Sequence, residues 1–274
     1  MKAIRSIVTL CVLSVSFLVV RGQSVDTIPH LIKKVPNSID KNLALKKYGE
    51  YTFNAKQLIL PTSLFAVGTL GTVIKPYKDF NVIIRDKVSE LRGNHKTKID
   101  DYVQYFPTVT HLFLGFAYVS HQNTFLQRLS IDATSVISLT IITNVFKYTF
   151  KEKRPDSNAR NSFPSGHTAT AFMGAELMRI EYGSYWGLGG YCVATAVGVL
   201  RIYNGRHWVN EVIAGAGIGI LSTRIGYWML PLYNKWFFRK VTTKNNNYKS
   251  LSFSAIPSYD CYNSSFSVNC ILKF

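Results

Sequence analysis

Six apolar stretches of helical length, at about 57–75, 102–121, 128–150, 167–181, 185–203 and 209–232, constrain this chain more than any other feature. Their length, spacing and low proline content predict an all-α fold, a bundle of about six helices, rather than a sheet. In an up-and-down bundle the loops after the third and fifth helices emerge at the same end. Those loops are polar and unusual: KEKRPDSNARNSFPSG follows the third stretch and YNGRH the fifth.

Whether the bundle sits in a membrane is open at this level. Tyr185 to Tyr203 is nearly uncharged and close to the ~20 apolar residues that a span needs. Asp132 and Asn144 punctuate the third stretch and Arg224 the sixth. A charge at mid-bilayer must face a protein interior. A membrane-embedded bundle and a compact exported bundle both fit. If all six stretches span behind a cleaved leader, the loops after helices three and five face the cytoplasm. If 57–75 does not span, they face outward. Pro61, Gly68 and Gly71 interrupt that stretch, whereas the basic segment 75–101 favours a spanning one by the positive-inside rule.

The start, MKAIRSIVTLCVLSVSFLVVRGQS, has a basic head with Lys2 and Arg5, an apolar stretch from Ser6 to Val20, and small residues before a cleavage point. This layout predicts a signal peptide at 1–22 and export to the cell envelope; an uncleaved anchor is the rival. An N-terminal arm at 23–56, a bundle domain at 57–233 and a basic tail at 234–274 complete the division. In the tail, Phe266, Val268, Cys270, Leu272 and Phe274 alternate with Ser265, Ser267, Asn269, Ile271 and Lys273. Period two predicts a strand, with LSFSA before Pro257 as its hairpin partner. Cys261 and Cys270 are candidates for a disulfide, or two free thiols.

A formal charge of +17 implies an anionic partner. Nucleic acid is the least supported: the basic residues are scattered between apolar runs, without zinc-ligand spacing or an RNP-like aromatic pattern. A phosphorylated substrate and an anionic membrane surface remain.

Three groups of residues carry chemistry. Lys147, near the end of one helix, is followed by Arg154 in a loop stiffened by Pro155. In the second group, Pro164 sets the approach to a helix, Ser165 is an N-cap candidate, and Gly166 lets backbone approach a ligand. His167 sits in the first turn, where outward N–H groups and a positive dipole favour a bound oxyanion. In the third, Arg201 ends a helix, while His207 and Glu211 stand four apart on one face of the next. A carboxylate paired with histidine holds one tautomer and is expected to make the other nitrogen more basic. Singly, each group fits a solvated loop, a capped helix or a surface pair. Together they match phosphoryl transfer, in which cations and N–H groups hold three oxygens, one group attacks and one protonates the leaving oxygen.

The chain resembles the type 2 phosphatidic acid phosphatase and vanadium haloperoxidase superfamily. Its signature appears here as Lys147-x6-Arg154-Pro155, then Pro164-Ser165-Gly166-His167, then Leu200-Arg201-x5-His207-x3-Glu211. The resemblance covers roughly 130–230. It implies that His207 is the nucleophile, Glu211 orients it, and His167 is the general acid. It also implies that Lys147, Arg154, Ser165, Gly166 and Arg201 bind the phosphate. No metal or other cofactor is implied, and vanadate is an expected inhibitor. Leu200 stands where the family has serine and Glu211 where it has aspartate.

The leading expectation is a phosphatase acting on a lipid phosphomonoester or diphosphate, membrane-associated and facing the periplasm. Phosphatidic acid, phosphatidylglycerol phosphate, polyprenyl diphosphate and lipid A phosphates are the substrates that the resemblance suggests. A soluble exported acid phosphatase is the alternative; a vanadium haloperoxidase or an inactive lipid-phosphate-binding protein ranks lower. AGAGIGI, 214–220, reads as small-residue helix packing. His30, His95, His111 and His121 show no metal-ligand spacing and read as incidental.

Overall fold

The structure, a computed structural model, describes residues 52–117, 119 and 121–238, with the backbone of 252–260 and 265–273. The leader, most of the N-terminal arm and Cys261 lie outside the described residues. The helices are α1 (Lys56–Val73), α2 (Lys75–Arg92), α3 (Ile99–Val103), α4 (Phe106–Phe113), α5 (Phe125–Phe150), α6 (Gly166–Tyr182), α7 (Ser184–Tyr203) and α8 (Val209–Tyr233). The chain divides into two compact units, Met1–Pro231 and Leu232–Phe274. In the second, β1 (Ser252–Asp260) pairs antiparallel with β2 (Ser265–Lys273), Ser252 opposite Lys273 and Asp260 opposite Ser265.

Two parts of the first unit depart from the sequence expectation. The basic segment after residue 75 is largely helical. Pro76 lies at its first positions, where a missing N–H is harmless, and α2 turns 89° from α1 at Ile74. The single helix expected at 102–121 is broken. Pro107 cannot continue a helix from before it, so it starts α4 instead, and a 3-10 turn at Leu114–Phe116 closes that piece.

α5 begins on a capping box. Gln127 N donates to Thr124 Oγ1, and Thr124 N donates back to Gln127 Oε1 at 2.9 Å. Gly183, at φ 92°, ends α6 and lets the chain reverse into α7, a backbone region that residues with a Cβ avoid. The core joins Ile131 and Leu139 of α5, Met173 and Leu177 of α6, and Ile218, Tyr227 and Leu230 of α8. Small residues of 214–220 let helices close on α8. A Cβ at Gly215 or Gly219 would strike the carbonyl of Ser165 or Ala169, and one at Gly217 that of Pro61.

Buried charges are paired, as a low-dielectric interior demands. Glu176 of α6 accepts from Arg179 and from the Tyr191 hydroxyl at 2.6 Å, and pairs with Arg224 at 2.7 Å, tying α6, α7 and α8 together. At the end of the bundle where α6 finishes, Glu181 accepts from Asn123, Gln122 N and Tyr227. His111 is not incidental: it is fully buried, with Nδ1 2.9 Å from Asp132 Oδ1, and Arg128 donates to the carbonyls of Asn123 and Leu112 nearby. The aspartate at 132 and the arginine at 224 are thus turned toward protein, as the cost of such charges in an apolar helix predicts.

Among the described residues two helices, Phe125–Phe150 and Val209–Trp236, are long and apolar enough to cross a membrane; α1 and α2 together make a third candidate, bent in the middle. Outward residues of α1 and α5, among them Leu60, Leu70, Ile137, Ile141 and Val145, are exposed and apolar.

Candidate active site

The loops after α5 and α7 and the first turns of α6 and α8 meet at one end of the bundle. Two contacts hold the meeting point: Ser165 N donates to Glu211 O at 3.1 Å, and Trp208 Nε1 donates to Lys153 O at 2.8 Å. At its centre is His207, buried, with Nδ1 2.8 Å from Glu211 Oε2. His207 lies in the bend before α8 and not on the helix face that the spacing of four predicts; Glu211, in the first turn of α8, reaches back past Trp208 to the ring. With Nδ1–H donating to it, Nε2 is left as the ring's lone-pair nitrogen.

Glu211 Oε2 collects two further donors, Ser162 Oγ at 2.5 Å and Trp208 N at 3.1 Å, whereas buried Oε1 has no hydrogen-bond partner among the described residues. Glutamate therefore serves the histidine at this position, with three donors on one oxygen.

Lys147, Arg154, Arg201 and His167 all lie within electrostatic reach of His207. Burial, then these cations, holds His207 well below the ordinary histidine value. The expected gain in basicity from its carboxylate is outweighed, because the ring is removed from water and faces three positive charges. A neutral imidazole with a free nitrogen results. His167 is lowered as well, by burial first and Arg201 next, while Asp101 opposes the shift. Arg154, half-buried, is lowered by burial and by Arg201, and its Nε donates to Asn161 Oδ1 at 2.9 Å.

Ser165 occupies the N-cap of α6 in extended backbone, but its hydroxyl pairs with Thr168 Oγ1 at 2.9 Å instead of capping a peptide N–H. Outside its own turn of helix, a Cβ at Gly166 would meet nothing among the described residues nearer than Thr143 Cγ2 at 4.0 Å. The preceding peptide, Phe163–Pro164, is cis. Leu200 is buried beside Arg201 and offers no polar group.

Two carboxylates went unread in the sequence. Asp100 Oδ2 accepts from Arg201 Nη1 at 2.6 Å, and its Oδ1 accepts from Asn204 Nδ2 at 3.0 Å. Asp101 Oδ1 lies 2.9 Å from His167 Nε2 and 3.3 Å from Arg201 Nη1. Their signal was present as two adjacent aspartates ending a basic run, KTKIDD, but nothing local names their partners a hundred residues on. Ser162 was missed for the same reason.

A model of the PAP2 superfamily matches residues 129–235, the stretch that supplies both histidines, Glu211 and the three cations. Residues 129–235 belong to the PAP2 superfamily. Asp100 and Asp101 come from outside the matched PAP2 stretch, on α3. Over 161 residues the chain is 42% identical to a lipid A 1-phosphatase of Porphyromonas gingivalis, covering 56% of this chain and 36% of that protein. Over 107 residues it is 37% identical to the bacitracin transport permease protein BcrC of Bacillus licheniformis, covering 34% of this chain and 51% of that one. The chain thus spans about a third and about half of these two relatives. A solved PAP2-type phosphatidylglycerolphosphate phosphatase of Bacillus subtilis matches 68% of this chain and 99% of its own, at 17% identity and a TM-score of 0.46.

Proposed function

We propose that this chain hydrolyses a phosphomonoester or diphosphate carried by a lipid, through a phosphohistidine on His207, at a site facing the export compartment. The observation that carries the proposal is the buried His207, with one nitrogen held by Glu211 and the other free among Lys147, Arg154 and Arg201.

His207 Nε2 attacks phosphorus, forming a P–N bond as the P–O bond to the lipid breaks. Lys147, Arg154, Arg201 and the N–H groups at the start of α6 hold the three spectator oxygens, where negative charge concentrates. His167 donates its proton to the departing oxygen. Water then attacks the phosphohistidine, giving its proton to His167, and the P–N bond breaks to release phosphate. Entry of the phosphate dianion reverses the field that keeps His167 neutral and favours the imidazolium that an acid must be. No step calls on a metal.

The lipid character of the substrate is supported by the helices long and apolar enough to span and by the relative named as a lipid A 1-phosphatase. Phosphate release by the purified chain from lipid phosphates and from soluble esters tests the proposal. Turnover of lipid phosphates that disappears in His207→Ala supports it; turnover that survives His207→Ala overturns it. Preference for soluble esters, with active protein released by osmotic shock without detergent, would move the assignment to an exported acid phosphatase.

A further inference from the structure

We propose that α2 is an in-plane interfacial helix that seats the active-site mouth in the headgroup layer of an anionic bilayer. The inference rests on the lipid-phosphatase reading for its meaning, but its geometry stands separately.

α1 runs along α8, with Gly68 against Ala214 and Gly217 against Pro61 and Phe65, so it shares the direction of a candidate span. α2 leaves α1 at 89° and therefore runs across the bundle axis. It does so at the catalytic end. Asn81 Nδ2 donates to Asn210 Oδ1 at 3.0 Å, the Arg85 guanidinium lies 5.4 Å from the Trp208 ring centre, and Arg92 Nη1 donates to Tyr203 O at 2.7 Å.

One face of α2 is thus used inside the protein, by Asn81, Arg85 and Arg92. A second face, spaced by three and four residues, carries Phe80, Ile83, Lys87 and Leu91, and this stripe is exposed, Leu91 at 86%. Asp79, Asp86 and Glu90 share a third side. An exposed apolar stripe beside charged faces is the pattern of a helix lying in a membrane surface, with Lys87 able to extend its ammonium to the headgroups. The stripe continues through Ile74 and Val73 into the exposed apolar side of α1. Across the site, exposed Ile99, Tyr102, Tyr105 and Phe106 of α3, α4 and their link add the aromatic groups that favour the interface. Lys96, Lys98, Lys151 and Lys153 surround the same end, and their charge selects an anionic surface.

The test uses the full chain in phosphatidylglycerol–phosphatidylcholine vesicles. Leu91→Cys and Asp86→Cys are each labelled with a polar maleimide and read peptide by peptide by mass spectrometry. Position 91 is expected to label at least about tenfold more slowly than position 86, with the difference reduced in vesicles of phosphatidylcholine alone. Equal rates in anionic vesicles overturn the proposal, whether or not the chain is a phosphatase. In turnover, Phe80→Asn/Ile83→Asn/Leu91→Asn is expected to lose about tenfold on phosphatidic acid in vesicles and to keep its rate on a short-chain soluble ester. Equal loss on both, or none on either, overturns it; an inactive parent chain would count against the enzyme reading and leave the labelling result to decide this one.

Discussion

His207 Nδ1 stands 2.8 Å from Glu211 Oε2, and that single oxygen also receives Ser162 Oγ and Trp208 N. The carboxylate is therefore held by three donors. Glu211→Gln keeps the size and one acceptor oxygen but removes the carboxylate charge and puts an NH2 donor on the other arm. It is expected to lower kcat by up to about 10⁴-fold, the loss produced when the orienting aspartate of a Ser-His-Asp triad becomes an amide. Glu211→Asp is expected to keep activity within about tenfold of the parent, since it keeps the charge and the donors Ser162 Oγ and Trp208 N remain to hold it. Steady-state rates on one lipid phosphate measure both.

The pH profile follows from His207. The proposed nucleophilic role requires it neutral, and burial with three nearby cations lowers its pKa from 6.5. The acid limb of kcat/KM is expected below pH 6.5, on a phosphate ester whose own ionisation is known. Stability shifts in the same direction. The unfolded chain binds the histidine proton first, so stability is full above about pH 6.5 and is lost as pH falls from there through the lower folded value. A melting temperature that falls on acidification, less steeply in His207→Asn, checks the sign.

Asp101 lies between His167 and Arg201 at 2.9 and 3.3 Å, where it competes with an arriving phosphate for both. Asp101→Ala is expected to tighten inhibition by inorganic phosphate or vanadate several-fold. It should also lower kcat, because His167 loses the one neighbour that raises its pKa through a hydrogen bond. Inhibition constants and kcat on the same substrate separate the two effects.

Asp100 has a structural task. It is 1% exposed and pairs with Arg201, itself buried. Removing one partner of a buried pair strands the other, so Asp100→Ala is expected to destabilise by about 3–5 kcal/mol. Thermal unfolding in detergent measures this, with Asp101→Ala as the milder comparison because Asp101 is half-exposed.

The bundle and the residues that meet at its end were legible because each depends on local pattern. Apolar runs gave α5, α6, α7 and α8 within a few residues, and PSGH and HWVNE are contiguous motifs that run into the first turns of α6 and α8, which keeps their side chains close. α2 was less legible because its apolar residues are diluted by eight charges, a surface pattern that suits connector or helix until Pro76 and the α8 contacts select one. The split of 102–121 turned on one proline within an apolar run. Asp100, Asp101 and Ser162 were hidden for a different reason. Their partners are fifty to a hundred residues away, and only the closed bundle brings them together.

The central claim is that His207 carries the phosphoryl group. It is tested most directly by rapid acid-free quench of the chain during turnover of a lipid phosphate labelled in its phosphorus, followed by peptide mapping. The expected result is an acid-labile, base-stable label on the peptide containing His207, absent from His207→Ala and accumulating in His167→Ala when the leaving group is too good to need a proton. Turnover at the parent rate by His207→Ala, with no labelled histidine, would contradict it.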